Sequence, residues 1–115
     1  MDQNPVRTWK VNFFQRDRGD YPVKDFMEEQ DEVTKVKIAS SIKLLRDYGP
    51  FLKPPDIKKI QSKLYELRIP GKPAIRIFYT LVQGEYYLLH AFKKKTQKIP
   101  IRELKVAIDR MAEII

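Results

Sequence analysis

Between Leu64 and Phe92 the chain sets three short apolar runs in succession, with connections too short for anything but hairpins. LYELRI (64–69), IRIFYTL (75–81) and YYLLHAF (86–92) are separated by Pro70-Gly71-Lys72-Pro73 and by Gln83-Gly84-Glu85. A parallel crossover needs about a dozen residues or more, so the three runs are expected to form an antiparallel meander.

The flanks of that meander set the fold class. Thr8–Phe14 (TWKVNFF) is aromatic and β-branched and ends in the polar turn Arg16–Asp20, which predicts a first strand. Tyr21–Gln30 has Pro22 near a helix start and Val23, Phe26 and Met27 on one face. Asp31 is placed to cap a second helix carrying Ile38, Ile42 and Leu45, and Gly49-Pro50 stops it. Residues 50–63 hold three prolines and four lysines and read as an extended connector with one helical turn around Ile57–Ile60. From Pro100 a last helix carries the stripe Ile101, Leu104, Ile108, Met111 and Ile115. The expected order is β-α-α-β-β-β-α: an α+β fold with a small antiparallel sheet, N-terminal helices and a C-terminal helix. At 115 residues it should form a single domain, 1–115.

Composition removes several chemistries. Without cysteine there is no disulfide, thiol nucleophile or Cys-ligated metal, and one histidine makes a His-based metal site a poor expectation, so no metal or cofactor is expected. No apolar run approaches the ~20 residues of a membrane span. The N-terminus, MDQNPVRTWK, lacks the apolar core of a signal peptide, which makes the cytoplasm the expected location and a membrane no expected partner.

The net charge of +8 is unevenly spread. Residues 1–50 hold nine basic and nine acidic side chains, whereas 51–115 hold 14 basic and six acidic, so the surplus belongs to the second half. Such a field favours an anionic partner, of which the phosphates of a nucleic acid are the simplest. The neutral first half is read as scaffold that offers surface to a protein partner.

Strand alternation sorts this charge by face. Tyr65, Leu67 and Ile69 share one face of their strand, and Leu64, Glu66 and Arg68 the other; Ile75, Ile77 and Tyr79 oppose Arg76 and Phe78. Putting the apolar sets in the core brings Glu66, Arg68 and Arg76 together on the opposite, solvated face. A surface Glu–Arg pair there contributes about 0.2–1 kcal/mol and needs no function. Two arginines for one carboxylate, beside Lys93-Lys94-Lys95-Thr96-Gln97-Lys98 at the end of the next strand, favour an anion site instead. His90 lies two residues after Leu88 in an apolar strand; it is either a packed core histidine or a general acid or base. Tyr65, Tyr79 and Tyr87 are core candidates, and Phe78, on the arginine-bearing face, is placed to stack a base. Lys53, Lys58 and Lys59 read as ordinary solubility charges.

Three stretches carry a family resemblance. LYELR (64–68), IRIFY (75–79) and LLHAFKKKTQKIP (88–100), with Glu103 and Ala107 beyond, resemble the HigB-like branch of the RelE/ParE toxin superfamily. The resemblance covers residues 64–107. It departs at Ile99, where the family usually has Thr before the proline, which removes an N-cap oxygen from the last helix. It implies a RelE/ParE-like fold and the toxin of a type II toxin–antitoxin module, inhibiting translation as a metal-independent endoribonuclease on mRNA at the ribosome. It also implies a helix-turn-helix antitoxin as partner. Carried onto this chain, the catalytic set is Arg68, Arg76 and Lys94, with Glu66 or His90 as base or acid, a choice the sequence leaves open. Lys93, Lys95, Lys98, Lys72 and Phe78 are the expected RNA contacts. A ParE-like gyrase poison and a non-catalytic basic nucleic-acid-binding module are the alternatives.

Overall fold

Arg7 to Ile115, the residues described by this computed structural model, are arranged around one five-stranded sheet covered on both sides by helices. Positions 1–6 of the expected domain lie outside the described residues. In chain order the elements are β1 (Lys10–Phe13), α1 (Pro22–Glu28), α2 (Glu32–Tyr48), a 3₁₀ turn (Gly49–Phe51), β2 (Ile57–Gln61), β3 (Leu64–Ile69), β4 (Ala74–Val82), β5 (Glu85–Lys94) and α3 (Ile101–Ile114). The strands lie in the order β1-β5-β4-β3-β2. Among the described residues no helix is long and apolar enough to cross a membrane.

The α+β class and the β3–β4–β5 meander are as the sequence predicts, and two details differ. The sheet is mixed rather than antiparallel, because β1 pairs parallel to β5, with Val11 beside Tyr86. A hairpin forces its two strands to be antiparallel, but β1 reaches the sheet through two helices, which leaves its direction free. The second difference is β2. Residues 57–61 form a strand, not a helical turn, pairing antiparallel with β3 as Ile57↔Leu67, Lys58↔Glu66 and Lys59↔Tyr65. Ile57 and Ile60 stand three apart, a spacing that suits a helix. In the sheet it puts them on opposite faces, and each has a core to enter.

Those two cores explain the sequence pattern. Ile38, Leu45, Leu67, Ile75, Ile77 and Leu88 close the space between the sheet and α1–α2. Phe14, Leu64, Phe78, Leu89, Phe92, Ala107 and Met111 close the space between the sheet and α3. Central strands buried on both faces read as near-continuous apolar runs, as β4 and β5 do. α2 begins where Asp31 Oδ1 accepts the Thr34 N–H at 2.8 Å. It ends at Gly49, whose φ is +50° and where a Cβ would lie 2.5 Å from the Trp9 ring. The stripe on α3 is used only through its middle: Leu104, Ala107, Ile108 and Met111 pack, while Ile101 is 83% exposed and Ile115 59%.

Candidate functional site

Charge enters the sheet on the face that α3 covers only in part. Residues directly opposite in an antiparallel pair share a face. Lys58 faces Glu66 across β2–β3, and Arg68 faces Arg76 across β3–β4. Strand alternation puts Glu66 and Arg68 on one side of β3. Ala74 faces Lys94 across β4–β5. Lys58, Glu66, Arg68, Arg76 and Lys94 therefore share one side of three adjacent pairings.

The expectation of a solvated Glu66 is overturned. Its side chain is fully buried, opposite both Phe78 and Lys58. Glu66 Oε1 accepts from Arg68 Nε at 3.1 Å and lies 3.8 Å from Arg76 Nε. Arg76 also donates from Nη1 to the Ile75 carbonyl at 3.0 Å, and its side chain is only 15% exposed. Glu66 Oε2 and Arg76 Nε are buried without a hydrogen-bond partner. Two like charges directly opposite on neighbouring strands repel, and one carboxylate cannot neutralise both guanidiniums. The arrangement keeps a surplus of positive charge and a spare guanidinium donor in a partly desolvated place, where an anion is held more strongly than in water.

The lysine cluster divides where it enters the sheet. β5 runs through Lys94, so Lys93 and Lys94 point to opposite faces. Lys93 sits opposite Ile75 on the α2 side, where its charge acts on Asp31. Lys94 is on the arginine side. Burial lowers its pKa below the usual lysine value; Glu66 opposes the shift, and Arg76, Arg68 and Lys58 add to it. Lys58, read from the sequence as a solubility charge, thus belongs to the cluster. The signal that could have placed it was the pairing of β2 with β3, hidden by the helical spacing of Ile57 and Ile60. Lys95 shares a hollow with Arg76 and Lys94, whereas Lys72 and Lys98 stand exposed in loops.

Two other expected site residues are placed elsewhere. Phe78 is fully buried with its ring 5.4 Å from that of Phe92, under α3, so it presents no surface to a base. Leu89 is the extra residue of a bulge, which turns His90 onto the α3 side opposite Phe78. There His90 Nε2 lies 2.6 Å from Glu103 Oε1, and Arg110 Nη1 lies 3.4 Å from His90 Nδ1 while donating to the Leu89 carbonyl at 2.8 Å. This geometry suits a neutral imidazole that donates from Nε2 to Glu103 and accepts at Nδ1. Burial lowers the His90 pKa, Glu103 partly counters it, and Arg110 adds to the lowering. The histidine ties α3 to β5 and is not drawn into the arginine cluster.

Chemically, the cluster offers guanidinium forks for phosphate oxygens, one lysine with a weakened hold on its proton, and no apolar pocket of its own. Among the described residues, no group of three or more histidines and carboxylates is placed to hold a metal ion. A family model described as "Phage derived protein Gp49-like (DUF891)" matches residues 25–112, from within α1 to near the end of α3. This is a toxin-like family of the RelE/HigB type, associated with toxin–antitoxin modules. No curated protein matches the chain.

Proposed function

We infer that this chain, which belongs to the phage-derived Gp49-like family, is the toxin of a type II toxin–antitoxin module that cuts mRNA without a metal ion. The observation that carries the reading is Arg68 and Arg76 facing one another over the single buried carboxylate of Glu66, an arrangement short of negative charge. A scissile phosphate supplies it.

In this reading the RNA 2′-OH attacks the adjacent phosphorus, and a 2′,3′-cyclic phosphate forms as the 5′-oxygen leaves. Arg76 and Arg68 bind the phosphate oxygens and stabilise the extra charge of the pentacoordinate state. Lys94, its pKa lowered by burial, takes the 2′-OH proton as general base. Water returns a proton to the leaving oxygen, and Lys58, opposite Glu66 at the edge of the cluster, contacts a neighbouring phosphate. Glu66 orients both guanidiniums and is a positioning residue. Lys95 grips the backbone beside them. The resemblance over residues 64–107 adds the translating ribosome as the place of cleavage and a helix-turn-helix antitoxin, encoded in the neighbouring reading frame, as the partner.

Expression of the chain alone in bacteria tests this: growth should arrest, and primer extension should map breaks within mRNA. Growth arrest with intact mRNA and inhibited supercoiling would replace this reading with the gyrase-poisoning one. A second reading is favoured by one observation, the commitment of His90 to Glu103 and of Glu66 to two arginines. It makes the protein a module that binds RNA without cutting it, and it predicts retention of RNA with no cleavage products.

A further inference from the structure

Two hollows meet at Arg76. One is lined by Ala74, Arg76, Lys94, Lys95, Thr96 and Gln97 and carries only cationic and neutral groups. The other is lined by Pro55, Asp56, Arg68, Pro70, Ala74 and Arg76 and contains a carboxylate. Ala74 and Arg76 line both.

Asp56 is out of place in a surface that attracts phosphate. Its position is set by the backbone, because its carbonyl accepts the Arg68 N–H at 2.9 Å and so continues the β2–β3 pairing beyond Ile57. Among the described residues its carboxylate enters no ion pair, although two arginines line the same hollow, while Glu66 takes both of them. A free carboxylate repels the backbone of an RNA, but it accepts hydrogen bonds from base edges that donate. Pro55 and Pro70 supply two apolar ring surfaces at the same hollow, suited to an unstacked base.

We propose that this second hollow is a guanine subsite adjoining the phosphate position at Arg76, with Asp56 as the residue that reads the base. The proposal rests on the RNA-cutting reading for its ligand class and adds a base preference to it. Guanine alone among the four bases presents two neighbouring donors, N1–H and the 2-amino group, on its Watson–Crick edge. They match the two carboxylate oxygens as a fork. Adenine and cytosine offer an amino group beside an acceptor, which the carboxylate repels, and uracil offers a single N–H between two acceptors. The opposite hollow, without a carboxylate, takes the neighbouring nucleotide with no such demand.

The test uses fluorescent single-stranded pentanucleotides, 2′-O-methylated so that no cleavage occurs, with guanine, inosine, adenine, cytosine or uracil at the central position. Binding to the full chain is read by anisotropy at low salt. The guanine oligonucleotide should bind roughly 10-fold more tightly than the adenine one, with inosine, which lacks the 2-amino group, in between. Asp56→Asn, whose amide offers one acceptor and one donor, should abolish the guanine preference, and Asp56→Ala, with no side-chain acceptor at all, should bring the five affinities together. Arg76→Ala should weaken all five alike. Measurable binding without a guanine preference, or a preference that survives both Asp56 substitutions, overturns the subsite and leaves the RNA reading standing. No binding to any of the five overturns the subsite, and the primer-extension map of mRNA breaks then decides the RNA reading separately.

Discussion

Arg76 and Ile77 are adjacent in β4 and live in opposite environments. Ile77 is fully buried in the core beneath α1 and α2, in one apolar cluster with Leu67, Ile75 and Leu88. Arg76, one residue earlier, lies on the face that α3 covers incompletely, beside Glu66, Arg68 and Lys94. The first face is closed by two helices and spends its residues on cohesion. The second is closed over Phe78, Leu89 and Phe92 and left open where Lys58, Arg68 and Lys94 stand. A single sheet thus separates stability from chemistry by the period-2 alternation of its strands, and the separation can be probed from either side.

The largest effect should come from the open face. Arg76→Ala should lower mRNA cleavage by about 10²–10³-fold or more, the usual loss on removing a donor that stabilises transition-state charge, with an unchanged circular dichroism spectrum. A folded variant that keeps full activity would dissolve the comparison. On the closed face, Ile77→Ala should cost about 2–5 kcal/mol in urea unfolding, from lost apolar burial and the cavity left behind. The variant that remains folded should cut RNA at the native rate.

Lys94 refines the open face. Lys94→Arg keeps the charge but not a readily neutralised amine, so cleavage should fall about 10²-fold while RNA binding persists. Because a general base works when neutral, native cleavage should rise with pH toward the lowered Lys94 pKa. In the Arg variant that rise should vanish. A native rate that falls with increasing pH instead would remove Lys94 from the base role.

His90 tests where the boundary runs. Its folded-state pKa lies below the ordinary 6.5, chiefly through burial. The unfolded chain therefore binds the proton more readily. The stability from keeping this imidazole neutral is complete above about pH 6.5 and is lost as pH falls through the lowered folded value. His90→Gln should flatten that part of the stability–pH curve and leave cleavage within a few-fold of native. Loss of cleavage in a stable His90→Gln protein would return the histidine to the active site. The smallest effect belongs to Lys58: Lys58→Ala should reduce the slope of log affinity against log salt by about 0.7, the contribution of one single-strand phosphate contact.

Much of this was legible in the chain. The meander, the Asp31 cap, the Gly49-Pro50 stop and the last helix all follow from local signals: alternation, turn residues and capping chemistry. So does the grouping of Glu66, Arg68 and Arg76, since alternation alone puts them on one side. What was not legible depended on pairing or cover. Residues 57–61 have no strong strand pattern, and β3 makes them a strand by offering an open edge; with them Lys58 moved from the solvent-facing connector to the site. Lys93 and Lys94 differ only because β5 continues through both. Glu66 was expected in water and Phe78 against RNA, because no sequence signal says how much of that face α3 covers.

The amino-acid sequence by itself determined the α+β class, the three-strand meander, the face that carries the arginines and the basic character of the second half, because each follows from the order of neighbouring residues. The tertiary structure alone decided that β1 runs parallel to β5, that β2 exists, that Glu66 is buried between two guanidiniums and that His90 serves α3. Each of these rests on contacts between segments far apart in the chain, whose burial outweighs the weak local preferences of the residues involved.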